Sequence, residues 1–353
     1  MTSGLGRKAY VRPLDMKNGR VEMSHGGGGR AMAQLIDEIF LPAFDNEVLR
    51  QGNDGAVLTM EKGSGRLVMA TDAHVVSPLF FPGGDIGSLA VYGTVNDVAM
   101  MGARPLYLAA SFILEEGLPL ADLKRIADSM GAAARAAGVT VVTGDTKVVE
   151  RGKGDGLFIT TTGVGWLAEG IALGGERAQP GDAVLVSGGV GEHGMAIMSQ
   201  RENLAFDAPI VSDSAALHEL VAALLASGAD LRCLRDPTRG GLAAALNEIA
   251  QQSQVGMLLD ETAIPLKPVV AAACEFLGLD PLHVANEGKL VAICAATDAE
   301  RSLAALRLHP LGHDAAIIGY VQEDARCFVQ MKTRLGGRRI VDWLSGEQLP
   351  RIC

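Results

Sequence analysis

Cysteine is scarce in this sequence, with five among 353 residues, and no two lie within four positions of each other. That spacing excludes CxxC pairs, zinc-finger ligand sets and the dense disulfide frameworks of small secreted domains. We therefore expect a reducing compartment and place the protein in the cytoplasm. The five residues are Cys233, Cys274, Cys294, Cys327 and Cys353.

Basic charge is also low, because 31 lysine and arginine residues face 41 acidic residues and leave a net charge of −10. A protein that follows nucleic-acid phosphates needs a basic surface, so we expect no nucleic-acid partner. No apolar run reaches the roughly 18 to 20 residues of a membrane helix. Residues 1–20 carry basic side chains without an apolar core, which argues against a secretory signal. We expect a soluble chain without a membrane partner.

The sequence is rich in apolar residues, at 48% against 20% charged residues, and in glycine, with 44 residues. This composition is typical of a globular protein, and the length predicts two domains. Strand-like and helix-like segments are mixed without a regular βαβ repeat, so we predict an α+β fold. We place a mobile leader at 1–24, an N-terminal domain at 25–168, a C-terminal domain at 175–345 and a flexible tail at 346–353.

Local patterns predict several elements of the N-terminal half. Residues 56–60 and 66–71 are typical of the two strands of a hairpin, because turn residues join two apolar runs. An apolar helix is expected over 86–101, since an aspartate that can cap it stands directly before it. A β-branched strand over 139–143 is predicted to end in a polar turn at 143–147.

Four aspartates of the N-terminal half stand where apolar segments are expected to meet turns. Several carboxylates from separate elements suit a Mg²⁺–nucleotide site, because Mg²⁺ takes oxygen ligands and shares them with phosphates. Each aspartate alone is better explained as a turn or cap residue, and only the four together make the metal interpretation equally good. The four are Asp54, Asp72, Asp97 and Asp145.

The segment Thr143-Gly144-Asp145-Thr146-Lys147 combines a glycine, a carboxylate and a cation. Glycine lets the backbone approach a ligand, the aspartate suits a metal and the lysine suits a phosphate. The spacing differs from that of a Walker A loop. An ordinary polar turn is the alternative interpretation.

Glycine loops precede several predicted helices, and backbone amides at such junctions bind anions. Gly28 and Gly29, in the run 25–29, and the pair 240–241 fit this geometry best. For 83–84 and for 188–189 the alternative interpretation, flexible loops or tight turns, is retained.

Three further kinds of side chain are interpreted separately. Glu287 would act as a general base if a dry pocket raised its pKa, although a solvated hairpin turn is the plainer interpretation. His193, His283 and His313 are interpreted as loop or packing residues rather than as ligands. Cys353 is the last residue, so its thiol can be delivered into another site, and the alternative is an exposed free thiol.

Eight longer motifs occur in order from Ser24 to the last residue. They are SHGGGG at 24–29, PLFFPGGDIG at 78–87, NDVA at 96–99, FILEEG at 112–117, TGDTKVV at 143–149, DPTRGG at 236–241, NEGKL at 286–290 and PRIC at 350–353. Together they resemble the HypE family of hydrogenase maturation proteins, within the aminoimidazole-ribonucleotide synthetase-like superfamily.

The resemblance implies the two-domain fold of that superfamily, with N-terminal domains that pair in a homodimer beside an ATP-binding cleft. It implies that a carbamoyltransferase partner, HypF, places a carboxamide on the sulfur of Cys353. ATP-dependent dehydration would then convert this thiocarboxamide into a thiocyanate. The cyanide would pass to iron on a HypC–HypD complex, for the [NiFe] hydrogenase centre.

The same resemblance implies roles for the acidic residues. Asp72, Asp97 and Asp145 would bind Mg²⁺ and the nucleotide phosphates, and Asp54 is a further candidate for the nucleotide. Lys147 would neutralise developing phosphate charge, or assist proton transfer if its pKa were lowered.

Glu287 is the candidate base by this resemblance, and Cys353 is the carrier of the reacting carbon. The amides around His25, Gly28 and Gly29 would hold phosphate. Two alternatives stay open: another ATP-dependent synthetase or kinase of the same superfamily, and a non-catalytic scaffold gated by ATP.

Overall fold

Apolar β-branched runs organise the first half of the chain into a four-stranded sheet. The structure, a computed structural model, describes residues 12–27, 30–51, 56, 58, 64–204, 209–343, 349 and 351–353. The elements of this half are α1 (Arg30–Leu35), α2 (Leu41–Phe44), β1 (Gly65–His74), β2 (Phe80–Phe81), β3 (Gly84–Asp85), α3 (Ile86–Met100), β4 (Arg104–Glu115), α4 (Leu120–Ala136), β5 (Thr140–Val149) and β6 (Leu157–Ala168).

The strand order in this sheet is β1-β6-β4-β5, in which only β4 and β5 run parallel. Helices α3 and α4 pack together on one face of the sheet. Asp85 caps α3 by accepting hydrogen bonds from the amides of Gly87 and Ser88, and the Ser88 hydroxyl group accepts one from the Asp85 amide. Helix α3 is buried over most of its length, because the sheet covers one side and the C-terminal half another.

The second half of the chain forms a seven-stranded sheet with helices on both faces. Its strand order is β13-β12-β9-β11-β7-β10-β8, and only the β9–β12 pair is parallel. The elements, in chain order, are β7 (Ala183–Val186), α5 (Glu192–Arg201), α6 (His218–Ala226), β8 (Leu231–Arg235), α7 (Gly241–Ser253), β9 (Gly256–Asp260), α8 (Pro268–Leu277), β10 (Val291–Cys294), α9 (Ala299–Arg307), β11 (Ala316–Gln322), β12 (Val329–Lys332) and β13 (Arg338–Ile340).

Strands β7 and β10 of this sheet are apolar at every position because both of their faces are covered. Val184 and Val186 of β7 pack in a core with α7, whereas Ala183 and Leu185 pack in a second core with α6 and α9. The predicted α+β fold is confirmed.

The sequence prediction failed at the segment 143–147, which lies inside β5 rather than in a turn after it. Residues Gly144 to Lys147 pair with Ala110 to Ile113 of β4. Pairing with a neighbouring strand therefore outweighs the turn preference of glycine and short polar residues. Asp72 and Asp97 also lie inside elements, in β1 and α3, and not at turns.

The predicted hairpin is confirmed in part. Its second strand, 66–71, lies in β1, which pairs with β6. Of the first strand only Ala56 and Leu58 are described, and neither belongs to a strand. Strands β8 and β13 were not predicted.

The two halves share buried contacts. Ala99 and Met100 of α3 belong to the core beneath α6 and α9, whereas Ile197 of α5 and Ile352 belong to the core of the first half. The predicted domain boundaries themselves stay predictions. Within the described residues, no helix has the length and apolar character to cross a membrane.

Candidate functional site

The last residues of the C-terminal tail are hydrogen-bonded to the segment that follows β1. The Val75 amide donates a hydrogen bond to the carbonyl oxygen of Cys353 at 3.2 Å, and the Ser77 amide donates one to that of Arg351 at 3.1 Å. The donors are two residues apart in one segment and the acceptors are two residues apart in the other, and the two segments run in opposite directions. This is the hydrogen-bond pattern of an antiparallel pair. The last residues are therefore held inside the protein.

Side chains of the tail and of the rest of the protein hold the tail in place. Ile352 is 3% exposed and belongs to the core of the first half. The Arg201 guanidinium group donates 2.7 Å hydrogen bonds to the carbonyl oxygens of Ser77 and Arg351, which joins the tail to the body of the protein. Arg351 itself pairs with Asp155.

The thiol of Cys353 reaches Glu287 in the interior. The two side chains are in hydrogen-bond contact. Burial raises the pKa of the Cys353 thiol well above its ordinary value, and the charge of Glu287 adds to the effect. Burial likewise raises the pKa of Glu287, with smaller contributions from Asp236, Asp213 and Asp72. The Cys353 thiol is therefore protonated near neutral pH in this arrangement, and Glu287 holds its proton to higher pH than an ordinary glutamate.

The position of Glu287 is fixed through its backbone. Its amide donates a hydrogen bond to Asp213 at 3.1 Å, and its carbonyl oxygen accepts one from the side chain of Asn96 at 3.3 Å. The carboxyl atom Oε1 of Glu287 is buried without a hydrogen-bond partner among the described residues. One acceptor at the tip of the tail is thus left for a bound group.

Around Glu287 lies a set of charges that we call the acid group: Asp72, Asp97, Asp236 and Arg239. The pKa of Asp97 is raised to about 7, and burial is the largest cause. The charges of Asp236 and Asp72 also raise it, and those of Arg235 and Arg239 lower it by less. Burial also raises the pKa of Asp236 to about 6. The acid group therefore concentrates negative charge that a cation would stabilise.

A second predicted set lies at the opposite edge of the first sheet, on β5. Lys147 and Asp145 are exposed and form an ion pair there at 3.1 Å. His25 is buried in a short helical turn (Met23–Gly26) that packs on β5. Its Nδ1 accepts a hydrogen bond from the Glu22 amide, and burial lowers the pKa of the imidazole.

The structure thus divides the predicted site residues into two places within one chain. Strands β1 and β5 are the outer strands of the sheet, and three strand spacings of about 4.8 Å separate Asp72 from Asp145 by roughly 14 Å. Asp72 lies near Glu287 and Cys353, and Asp97 lies near Asp72, whereas Asp145 and Lys147 do not join them. Among the described residues no three His, Cys, Asp or Glu side chains are arranged to hold a metal ion.

Three predicted residues, Gly28, Gly29 and Asp54, lie outside the described residues. The glycines 240 and 241, predicted as an anion site, form the start of α7, with Gly240 as its N-cap and Gly241 as its first residue, and both adopt positive φ. A side chain at Gly241 would collide with the carbonyl oxygens of Leu282 and Val284, so close backbone packing already explains that glycine.

Sequence reasoning missed Asp236, Asp213 and Arg239. The motif DPTRGG contains two of them, and an acid directly before a proline at the end of a strand was the available signal. His193 was interpreted as a packing residue, and it is fully buried, but it also bonds the tail, with its Nε2 at 2.9 Å from the carbonyl oxygen of Ile352.

Comparison with known proteins identifies the family of this chain. The family model described as AIR synthase related protein, N-terminal domain, matches residues 52–167, and that of the corresponding C-terminal domain matches residues 179–332. Carbamoyl dehydratase HypE of Cupriavidus necator is 70% identical over 351 residues, which is 99% of this chain and 100% of that protein. The chain belongs to the HypE family of carbamoyl dehydratases.

Solved HypE structures agree with this assignment. A crystal structure of HypE in complex with ATP is 53% identical, with a TM-score of 0.90 over 94% of this chain and 99% of that one. The HypE molecule of a HypE–HypF complex is 50% identical, with a TM-score of 0.77 over 88% of this chain and 99% of that one. The resemblance of the motifs to HypE is thereby confirmed, and hydrogenase maturation is the role that this family name carries.

Proposed function

We propose that this HypE-family protein dehydrates a carboxamide carried on the sulfur of its own Cys353 to a thiocyanate, with ATP as co-substrate. The observation that carries the proposal is the burial of the Cys353 thiol against Glu287, beside the acid group. A tail that only docks a partner has no need to bring its terminal sulfur to a buried carboxyl group.

The chemistry requires a better leaving group and a place for protons. ATP supplies a γ-phosphoryl group that makes the amide oxygen able to leave as phosphate. As the C–O bond breaks and C≡N forms, the nitrogen loses both of its protons. In its ionised form Glu287 accepts one of these protons, because its raised pKa makes the carboxylate a stronger base than an ordinary glutamate, and the departing phosphate takes the other.

The buried position of Cys353 suits dehydration of the carboxamide but not the transfer of that carboxamide to the sulfur. Burial and Glu287 keep the Cys353 thiol protonated, and a neutral thiol is a poor nucleophile. We therefore propose that the tail leaves the site to receive its carboxamide from a HypF-type carbamoyltransferase and returns for dehydration. A HypC–HypD complex would receive the cyanide, and these steps would take place in the cytoplasm.

The acid group fits a Mg²⁺-bound nucleotide. Asp72 and Asp97 would hold the cation and Arg239 would face the phosphates, because concentrated carboxylates gain most from a divalent ion. Asp236 is an additional candidate that the structure introduces. The cation would neutralise phosphate charge.

The open face of the first sheet suggests a second copy of the chain. Leu67 and Met69 of β1 are 59% and 73% exposed, and Ile113 of β4 is 39% exposed on the same face. We propose that two N-terminal halves pair across this face in a homodimer. Asp145 and Lys147, which lie apart from the acid group within one chain, are assigned to a nucleotide cleft that the second copy completes.

Intact-mass spectrometry tests the proposed reaction. The full-length protein is loaded with a HypF-type carbamoyltransferase and carbamoyl phosphate, and then mixed with Mg-ATP. We expect the tail peptide to lose the mass of one water, and ATP with a non-hydrolysable β–γ bridge to leave the mass unchanged. Glu287→Gln is expected to bind ATP normally yet lose the carboxamide's water at least about a hundredfold more slowly.

Two variants serve as references. Cys353→Ala should bind ATP without acquiring the carboxamide, and Glu275→Gln, an exposed glutamate on α8, should react like the unaltered protein. An unchanged mass after Mg-ATP would instead favour an ATP-gated scaffold. Turnover of a free small substrate by Cys353→Ala would favour a different synthetase or kinase.

A further inference from the structure

His193 is fully buried in the first turn of α5, and the chemistry proposed above does not use it. Its Nε2 lies 2.9 Å from the carbonyl oxygen of Ile352, and its Nδ1 lies 2.8 Å from the hydroxyl group of Ser212. A carbonyl oxygen only accepts, so Nε2 carries the proton and donates it to Ile352. Nδ1 then accepts from Ser212. Burial lowers the pKa of His193, which favours this neutral form.

Ser212 is itself held in place. Its amide donates a hydrogen bond to the carbonyl oxygen of Pro82 at 2.8 Å, and its hydroxyl oxygen accepts one from the Ser214 amide at 3.1 Å. The Phe81 ring stands edge-on to the imidazole, with ring centres 5.5 Å apart. The orientation of His193 is therefore determined by fixed neighbours and not by the tail.

The tail is bonded along both of its edges. Carbonyl oxygens of successive residues in an extended chain point in opposite directions. The oxygens of Arg351 and Cys353 meet the backbone amides of Ser77 and Val75, whereas the oxygen of Ile352 points the other way and meets His193. The imidazole thus occupies the place where a third strand would supply an amide.

We infer that His193, oriented by Ser212, is a positioning residue that holds the peptide unit before Cys353 and thereby sets the sulfur against Glu287. A strand that slips by one residue turns its side chains to the opposite face. Without the bond to His193, backbone hydrogen bonds would hold the tail on one edge only, and it would slip or leave more readily. The hydrogen bond from His193 to the carbonyl oxygen of Ile352 fixes the register of the tail and how far Cys353 reaches toward Glu287.

Alkylation of the unmodified protein tests this inference. Iodoacetamide is added to the full-length protein, and peptide mass mapping follows the reaction at Cys353 separately from the other four cysteines. In His193→Phe, which keeps an aromatic ring without donor or acceptor, we expect Cys353 to react about tenfold faster, as loss of one buried hydrogen bond implies. His193→Gln keeps an N–H donor and a carbonyl acceptor, so it should react within about threefold of the unaltered protein.

Ser199→Ala, which removes a hydroxyl group from the same helix without touching the tail, is the matched control and should not alter the rate. A folded His193→Phe whose Cys353 reacts at the original rate would overturn the inference, as would equal acceleration in His193→Gln. If His193→Phe does not fold, Ser212→Ala takes its place, with an expected increase of about threefold or more. An unchanged rate in that variant would also overturn the inference.

The inference deepens the proposed function, since it assigns how the carrier residue is held. Alkylation needs neither ATP nor a carboxamide, so it remains decisive even if the proposed dehydration is wrong. If dehydration is confirmed, His193→Phe should also lower the rate of water loss while ATP affinity is unchanged, and His193→Gln should restore most of that rate.

Discussion

At the scale of single residues, carboxyl groups whose pKa values are raised by burial dominate this site. Glu287 is buried at the tip of the tail, and the charges of Asp236 and Asp72 raise the pKa values of both Asp97 and Glu287. Such a group lowers stability at neutral pH when no cation is bound, because folding disfavours its charged form. Binding of a cation or a cation-bound nucleotide would offset this loss of stability, which is consistent with the proposed nucleotide site.

Asp97→Asn should therefore stabilise the protein without nucleotide at high pH. The folded pKa of Asp97, about 7, lies above its ordinary value of 3.8. The folded chain then holds the proton to higher pH than the unfolded chain, so stability falls as pH rises between these two values. The variant should raise the free energy of unfolding by about 2 kcal/mol at pH 8 and leave it unchanged near pH 4.

Urea unfolding at both pH values measures this difference. Asp314→Asn, at an exposed aspartate, is the matched control and should show no such dependence on pH. A variant at position 97 that is equally stable or less stable than the unaltered protein at pH 8 would contradict the assigned cause.

At the scale of elements, close backbone packing explains why several glycines are needed. Gly87 lies in the first turn of α3, and a Cβ there would collide with the carbonyl oxygen of Ile126 in α4. The two helices can therefore approach only because that side chain is missing. The same helix α3 carries Asn96 and Asp97, so its seating also positions the site.

Gly87→Ala should destabilise the protein by about 2 kcal/mol, since overpacking against backbone atoms exceeds the helix-propensity gain of alanine. Gly154→Ala is the control, because its Cβ would meet its nearest neighbours at an ordinary 3.5 Å. Urea unfolding compares the two. Equal stability of both variants would show that α3 and α4 adjust to the added methyl group.

Local chemistry made some elements predictable and others not. The acidic cap before α3 and the apolar run of β1 depend on neighbours in sequence, and both were predicted. The segment 143–147 favours a turn locally, and only its pairing with β4 makes it a strand. Most of the fold class follows from such local patterns, whereas strand pairing depends on contacts distant in sequence.

The site was less predictable than the fold for the same reason. Glu287, Asp97 and Cys353 were identified through motifs, but the partners that raise their pKa values come from distant segments. Nothing in the sequence places Ile352 beside His193, because 159 positions separate them. Which predicted residues meet, and which stay apart on β5, was set by strand order and not by any pattern of spacing.

At the scale of the whole molecule, one face of the first sheet carries apolar side chains that the described residues of the same chain leave exposed. Met69, at 73% exposure, lies on that face in β1, and a large exposed apolar patch marks an interaction site. If two copies pair there, a charge at Met69 must be buried without a partner. Met69→Asp should then weaken dimerisation at least about a hundredfold, as burial of an unpaired charge implies.

Sedimentation velocity across a range of protein concentrations measures this change directly. Leu335→Asp is the matched control, because Leu335 is 98% exposed in the turn between β12 and β13, on the other half of the molecule. We expect a dimer for the unaltered chain and for this control, and a monomer for Met69→Asp. A monomeric unaltered chain, or a Met69→Asp variant that remains dimeric, would remove the proposed pairing and with it the assignment of Asp145 and Lys147 to a shared cleft.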